Sequence, residues 1–335
     1  MSARHGTMAL CISALLLLGA CESDAAQRAG PSLDLGADSM GIVPSAREIE
    51  VQAIRGLGEN SGAAMSLRQP GVWFTINDSG NDPELFALDT SGRERGRWRI
   101  AGARNRDWEA ITLGPCVSPA GEVVPSPPDC LYIGEVGDNA ARHPSVRIYR
   151  VEEPDVQRKA DGSLSATALT FTYDGGARDV ESMYAGPDGT LYFISKRKLE
   201  DPSGRLRPAL VFALPPHAWR SSDPIAALVD SIAIVPGSAL GRQTTDAAVS
   251  RDRTAVAVRT YTQLYVFRAD SASGRIRTDL SPTVCSIAAL EEQQGEGITW
   301  FGGAGSWLLT SEGRGEPMWI VDCPPPDDPD AGQPR

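Results

Sequence analysis

Carboxylates in pairs and at regular intervals are the residues of this sequence best suited to chemistry. Asp107 and Glu109 are two residues apart, as are Asp179 and Glu181, so both acids of a pair lie on one side of an extended segment. Close carboxylates raise one another's pKa unless a cation compensates them, and a ring of oxygen ligands suits Ca²⁺ or Mg²⁺. We therefore predict a metal site, with Ca²⁺ as its ion, from the recurring acids Glu59, Asp107, Glu109, Asp179, Glu181, Asp246 and Glu296.

Basic side chains form a second set, which does not follow the spacing of the acids. The chain has only three lysines among its 32 basic residues, and two of them, Lys196 and Lys198, fall in one short segment. Arginine and lysine bind phosphate and carboxylate groups. Bases of this kind beside metal-binding acids predict a small anionic or phosphorylated ligand. The residues that we assign to catalysis are Lys196, Arg197, Arg259, Arg314 and Asp78.

The same acids and bases also suit a structural role or a different chemistry. The acids could cap the starts of strands by accepting hydrogen bonds from backbone amides, which would join one repeat to the next. The bases could pair with acids and bind no ligand. Two isolated carboxylates about 5–10 Å apart would instead favour a glycosidase.

An internal repeat supplies the elements that must position these side chains. Each unit begins with an acidic motif and continues with two apolar, strand-like stretches. The five units begin at Glu59, Asp107, Asp179, Thr244 and Gly295. Short strands that recur about every 50–70 residues without helical periodicity are typical of β-propeller blades.

We predict an all-β propeller of five four-stranded blades, with six blades as the alternative. The strand-like segment 47–54 has no partner in its own unit, so we expect it to complete the last blade and close the ring. The innermost strand of a blade lines the central channel. The loop before that strand and the loop between the second and third strands open on one face, which predicts that the acids and bases converge at one mouth.

Two units resemble blades of the phytase-like β-propellers, a superfamily that also contains esterase-like proteins. These units are the segments 179–197 and 295–300. In that family an Asp/Glu-x-Glu-Gly signature opens a blade, and channel acids bind Ca²⁺ near basic phosphate ligands. The resemblance implies that Glu181 and Glu296 bind calcium and that Lys196 and Arg197 bind phosphate. The enzymes of the family have six blades, whereas five units are counted here.

The N-terminus has the features of an export signal. Arg4 and His5 precede a short apolar run, and the segment 18–21 resembles the lipobox of bacterial lipoproteins, in which cleavage leaves a lipidated cysteine. We predict a signal peptide at 1–20, a flexible tether at 21–46 from lipidated Cys21, a propeller at 47–323 and a disordered tail at 324–335. Glu22 favours the outer membrane. The alternatives are an ordinary signal peptide cut after Ala20 and an apolar stretch that is not exported.

The four remaining cysteines of the mature chain are Cys116, Cys130, Cys285 and Cys323. In an oxidising compartment they predict two disulfides, for which three connectivities exist. Cys116 and Cys130 bracket one Pro-rich loop. We therefore favour the pairs 116–130 and 285–323.

Charge and motif content narrow the function classes. A net charge of −11 excludes nucleic acid as a partner, because phosphates would repel the chain. The sequence has no nucleophile elbow, HExxH motif, phosphate-binding loop or dinucleotide fingerprint. We predict a monomeric propeller, anchored to the cell envelope by lipid alone, that hydrolyses phosphoesters with a metal. A non-catalytic binding or assembly propeller is the first alternative and a glycosidase the second.

Overall fold

Short antiparallel strands separated by turns make up nearly all of the regular structure. The computed structural model describes residues 41–125, 129–196, 207–234, 241–303 and 305–328. Twenty-one strands and one 3-10 helical turn, Pro216–Arg220, lie within these ranges. None of the described residues belongs to a helix that is long and apolar enough to cross a membrane.

The strands follow the repeat in chain order. The first, β1, spans Ser45–Ile49. Blade 1 contains β2 (Asn60–Met65), β3 (Val72–Asn77), β4 (Glu84–Asp89) and β5 (Glu94–Ala101). Blade 2 contains β6 (Trp108–Pro115), β7 (Asp129–Glu135) and β8 (Val146–Glu152), followed by β9 (Asp161–Ser165), which leaves the blade, and β10 (Thr167–Tyr173), which completes it.

The other three blades are more regular. Blade 3 contains β11 (Val180–Ala185), β12 (Leu191–Ser195), β13 (Ala209–Leu214) and β14 (Ile225–Ile232). Blade 4 contains β15 (Thr244–Val249), β16 (Ala255–Thr260), β17 (Gln263–Arg268) and β18 (Thr283–Ser286). Blade 5 contains β19 (Gln294–Trp300), β20 (Ser306–Glu312) and β21 (Met318–Asp322).

The ring closes as the repeat predicts. β1 pairs antiparallel with β21, from Ser45 opposite Asp322 to Ile49 opposite Met318, and so becomes the fourth strand of blade 5. The innermost strands β2, β6, β11, β15 and β19 each pack against the next, and β19 packs against β2. The prediction of an all-β propeller with five four-stranded blades and an N-terminal closing strand is confirmed.

Two outer contacts between blades were not predicted. β9 pairs in parallel with β5 of blade 1, with Asp161 opposite Arg97. β10 meets β14 of blade 3 in parallel at Thr172 and Tyr173. The cause of the first contact is the long β8–β10 connection, which is able to reach the free edge of the neighbouring blade.

Hydrogen bonds to the blades are present on both sides of the predicted bounds of the propeller. The amide of Ile42, which precedes the predicted start at residue 47, donates to the carbonyl of Val284 at 2.8 Å. In the segment predicted as a tail, Arg268 Nε donates to the carbonyl of Pro326 at 2.7 Å. The predicted signal peptide and Cys21 lie outside the described residues.

Both favoured disulfides are present. Cys116 is bonded to Cys130 within blade 2, and Cys285 of β18 is bonded to Cys323 after β21, which links blade 4 to blade 5. Structural disulfides of this kind form in oxidising compartments. They indicate an exported protein.

Candidate functional site

The starts of the innermost strands and the ends of the second strands lie at one end of the channel. The strand register places Asn60 opposite Asn77, and Trp108 opposite Glu135, at this end. In the other blades the corresponding pairs are Val180–Ser195, Thr244–Thr260 and Gln294–Glu312. Both sets of polar residues found in the sequence therefore surround this end, which we call the mouth.

Bulges in three innermost strands mark the positions of acids at the mouth. The pairing register of β6 skips Glu109, that of β11 skips Glu181, and that of β19 skips Glu296. A bulge bends the strand and redirects the side chain of the extra residue, and bulges are common beside functional sites. All three acids are buried.

Asp78, Asp107 and Glu109 form a cluster that we call the carboxylate triad. One carboxylate oxygen from each residue lies within 4.8 Å of the others. Asp78 follows β3 of blade 1, whereas Asp107 and Glu109 begin blade 2, so two blades build the triad. The hydroxyl of Ser61 donates to Glu109 Oε2 at 3.1 Å. Gly137 permits the close approach, because a Cβ at that position would lie 2.6 Å from Asp107 Cγ.

Burial raises the pKa of every member of the triad, and the charges of neighbouring acids add to the effect. Burial, and then the charges of Asp78 and Asp179, raise the pKa of Asp107 to about 6. Burial, followed by the charge of Glu181, raises the pKa of Glu109 well above its ordinary value, and burial also raises the pKa of Asp78. Carboxylates held together at this cost fit a divalent cation, which would compensate their charge.

A second cluster faces the triad across the mouth, and Lys196 is at its centre. Lys196 forms an ion pair with Glu181, and its ammonium also donates to the Tyr261 hydroxyl at 3.0 Å. The Tyr261 hydroxyl donates to Glu296 Oε1 at 2.9 Å. Burial alone would lower the pKa of Lys196, but the charges of Glu181 and Glu296 raise it above its ordinary value. Lys196 is therefore a fixed cation.

Gln294 connects this cluster to a further acid. Its amide donates to Glu296 Oε1 at 2.6 Å and to Glu312 Oε1 at 3.0 Å. Burial, and then the charges of Glu296 and Asp78, raise the pKa of Glu312 to about 8. Glu312 therefore keeps its proton at neutral pH and is able to donate it.

Several of the residues predicted for the site are engaged elsewhere. Arg259 is 0% exposed, and its guanidinium binds Glu292 and the carbonyls of Gly297 and Thr310. Asp246 is buried and accepts hydrogen bonds from the amides of Ala247 and Ile298 at 2.8 and 2.9 Å. These contacts join blade 4 to blade 5, which is the structural alternative foreseen for the acids.

The remaining predicted residues lie at the edge of the mouth or outside the described chain. Asp179 accepts a hydrogen bond from the amide of Asp138 at 3.2 Å. Glu59 is exposed and accepts a hydrogen bond from Asn81. Arg314 is exposed, and Arg197 lies outside the described residues.

Sequence reasoning did not assign Tyr261, Gln294 and Glu312 to the site. Tyr261 directly follows the second strand β16 and Glu312 ends the second strand β20, at the end of the blades that the repeat already places at the mouth. No periodicity marks them, because each belongs to a single blade. Gln294 stands two residues before Glu296, as Asp107 stands two before Glu109, and this spacing is the signal that could have found it.

Comparison with known proteins gives likeness of structure only. No family model matches the chain, and no curated protein matches it. Similar solved structures include a glutaminyl cyclase of Myxococcus xanthus, at 13% identity and a TM-score of 0.46, covering 86% of this chain and 100% of that one. The gluconolactonase XC5397 from Xanthomonas campestris has 14% identity and a TM-score of 0.40, covering 88% of this chain and 94% of that one. A streptogramin B lyase has 9% identity and a TM-score of 0.40, covering 83% of this chain and 98% of that one.

Proposed function

We propose that this protein is a divalent-cation-dependent hydrolase of phosphoesters, held in the bacterial cell envelope by a lipid on Cys21. The observation that carries the proposal is the carboxylate triad, whose three acids from two blades approach within 4.8 Å and have raised pKa values. The triad brings three acids within 4.8 Å of one another, so it is not the isolated pair of carboxylates that a glycosidase would need.

The donor set of the triad suits a hard cation. Asp78, Asp107 and Glu109 offer carboxylate oxygens, and the hydroxyl of Ser61 lies 3.1 Å from Glu109 Oε2. Oxygen-only ligands favour Ca²⁺ or Mg²⁺ over softer metals. A cation bound there would polarise a phosphoryl oxygen and lower the pKa of a water molecule.

The second cluster supplies the complementary groups. Two contacts of the Lys196 ammonium are with Glu181 and Tyr261, and an ammonium has three N–H groups. Among the described residues the ammonium has no third partner, so the remaining N–H would bind a substrate oxygen and stabilise its negative charge. Glu312, protonated at neutral pH, would donate its proton to the leaving oxygen.

The experiment measures cation binding first and turnover second, on the purified full-length protein. Thermal unfolding is compared in EDTA and in millimolar Ca²⁺, because a ligand at a hundredfold excess over its Kd adds about 2.7 kcal/mol of stability. We expect Ca²⁺ to raise the Tm of the wild type and to have little effect on Asp107→Asn. Hydrolysis of p-nitrophenyl phosphate is then followed with and without Ca²⁺.

The matched control is Asp82→Asn, which changes an acid in the same loop as Asp78. The Asp82 side chain is 73% exposed, and within the described part of the chain its one ion pair is with Arg99 at 3.5 Å, on the surface. This variant should respond to Ca²⁺ like the wild type. An unchanged Tm of the wild type in Ca²⁺ would refute the metal site. A Tm shift without hydrolysis of phosphoesters would identify a binding propeller instead.

A further inference from the structure

A small hollow lies at the end of the channel opposite the mouth, where the innermost strands end. The apolar side chains that line it and are partly open to solvent are those of Leu67, Leu113, Val249 and Trp300. Its volume is about 30 Å³. Pockets that enclose small molecules have about 300–1,000 Å³, so the hollow has room only for the tip of a side chain. A ligand at this place must lie mostly on the surface around the hollow.

The charged groups around the hollow are positive in the part of the chain that the structure describes. Arg251 and Arg253, from the β15–β16 turn, line the hollow, and no described aspartate or glutamate does. Arg251 is exposed and Arg253 is half-buried. The Arg251 guanidinium lies over the ring of Trp300, 5.4 Å from its centroid. Neither arginine forms an ion pair or a side-chain hydrogen bond with a described residue.

Asp252 stands between the two arginines in the sequence, but its carboxylate is used within the turn. Its Oδ1 accepts hydrogen bonds from the Ser250 hydroxyl at 2.6 Å and from the Thr254 hydroxyl at 2.9 Å. The Thr254 amide also donates to Oδ1, at 3.2 Å. The hollow therefore combines two unpaired guanidiniums with an apolar floor.

The two arginines replace the residues that the same turn has in two other blades. The segments 118–121, 186–189 and 250–253 are closed by a hydrogen bond from the amide of the fourth residue to the carbonyl of the first, at 2.9, 3.1 and 2.9 Å. The second residue is proline in blades 2 and 3, where blade 4 has Arg251. The fourth is glycine in those blades, where blade 4 has Arg253.

This replacement is unfavourable for the turn itself. Arg253 has a φ of 60°, in the left-handed region that glycine adopts without steric cost, and the glycines Gly121 and Gly189 have φ values of 77° and 79°. A side chain is disfavoured in this region, and proline is favoured at the position of Arg251. Strained backbone of this kind is concentrated at functional sites. The two guanidiniums are therefore better explained by binding than by the stability of the turn.

We propose that the hollow is the centre of a docking surface for an acidic segment of a partner protein. A partner aspartate or glutamate pairs with Arg251 and Arg253, because a guanidinium binds a carboxylate through two parallel hydrogen bonds. An apolar side chain beside that acid enters the hollow and packs on Trp300. Tryptophan and arginine are enriched among the residues that dominate the binding energy of protein interfaces. The mouth is at the other end of the channel, so docking does not depend on the proposed hydrolase activity.

The experiment selects random peptides displayed on phage for binding to the purified full-length protein. We expect a set of selected sequences that combine an aspartate or glutamate with a neighbouring apolar residue. A fluorescent peptide of this set is then titrated with the wild type and with variants, and its anisotropy gives the Kd.

The decisive variant is the double substitution Arg251→Pro, Arg253→Gly, which gives blade 4 the turn residues of blades 2 and 3. It should bind the peptide about tenfold or more weakly, because charged hydrogen bonds are lost. Its Tm should be higher than that of the wild type, because the strained residue is removed and proline restricts the unfolded chain. Arg251→Gln, which leaves the turn backbone as it is, should weaken binding about two- to tenfold.

The matched control is Arg220→Gln, since Arg220 is an exposed arginine of blade 3 that does not line the hollow. It should bind the peptide like the wild type. Absence of selected acidic sequences, or equal affinity of the wild type and the double variant, would overturn the proposal. Self-association of the wild type that the double variant lacks, measured by sedimentation equilibrium, would make a second copy the occupant and would also overturn it.

Discussion

Glu109 and Asp246 differ in their position relative to the bulge of their strand. In β6 the register skips Glu109 itself, whereas in β15 it skips Thr245, so Asp246 is paired opposite Arg259. This difference of one residue sends Glu109 towards the triad and directs Asp246 to the backbone of blade 5. A one-residue change of register reverses the side of a strand on which a side chain lies.

At the scale of single residues, Glu312 leads to a pH-dependent prediction. Its pKa in the folded protein is about 8, above the ordinary value of 4.5, so the folded state holds a proton that the unfolded state has lost. Stability therefore falls as the pH rises between these two values. In EDTA, Glu312→Gln should flatten this fall and make the variant more stable than the wild type at pH 8. Urea unfolding at a series of pH values measures the effect.

Glu122→Gln is the control for this titration, because Glu122 is an exposed acid in a loop of blade 2. Its stability should follow the wild-type pH dependence. Equal slopes for the wild type and Glu312→Gln would show that Glu312 titrates normally.

At the scale of elements, β1 is the strand that closes the ring, and proline substitution tests its pairing. Among the described strands β1 pairs with β21 alone, so its backbone amides point alternately to β21 and away from it. Of the variants Arg47→Pro and Glu48→Pro, one removes a ladder hydrogen bond and the other changes an outward amide. We expect one variant to be less stable than the other by about 1–3 kcal/mol, measured by urea unfolding. Equal stabilities would contradict the closure.

The repeat predicted the elements better than it predicted the site. Apolar stretches between turns are a local signal, so the strands and even the unpartnered closing segment could be found in the sequence. The direction of a side chain depends on a single bulge, as at Asp246, and on packing between distant loops. The burial of Arg259 against Glu292 and the chain of contacts from Lys196 through Tyr261 therefore needed the structure. The pairing of β9 with β5 also depends on contacts that no local pattern marks.

At the scale of the whole molecule, the net charge of −11 is concentrated in part at the mouth. Asp78, Asp107, Glu109 and Glu312 all have raised pKa values, to which neighbouring acids contribute. The metal-free protein is therefore folded against electrostatic repulsion, which dissolved salt reduces by screening.

We accordingly expect NaCl to raise the Tm of the protein in EDTA over the range from about 0.05 to 1 M, in which the screening length falls from more than 10 Å to about 3 Å. Saturating Ca²⁺ compensates the same charges locally, so it should reduce the gain from salt. At pH 9, at which Glu312 is ionised, the double variant Asp107→Asn, Glu312→Gln should have a smaller gain in EDTA than the wild type. NaCl is used in place of a sulfate salt, because sulfate stabilises most folded proteins by exclusion from their surface, which is an effect separate from screening. The rise in Tm with NaCl could instead be equal in EDTA and in Ca²⁺, and equal in the wild type and the double variant. That result would place the repulsion elsewhere than at the mouth.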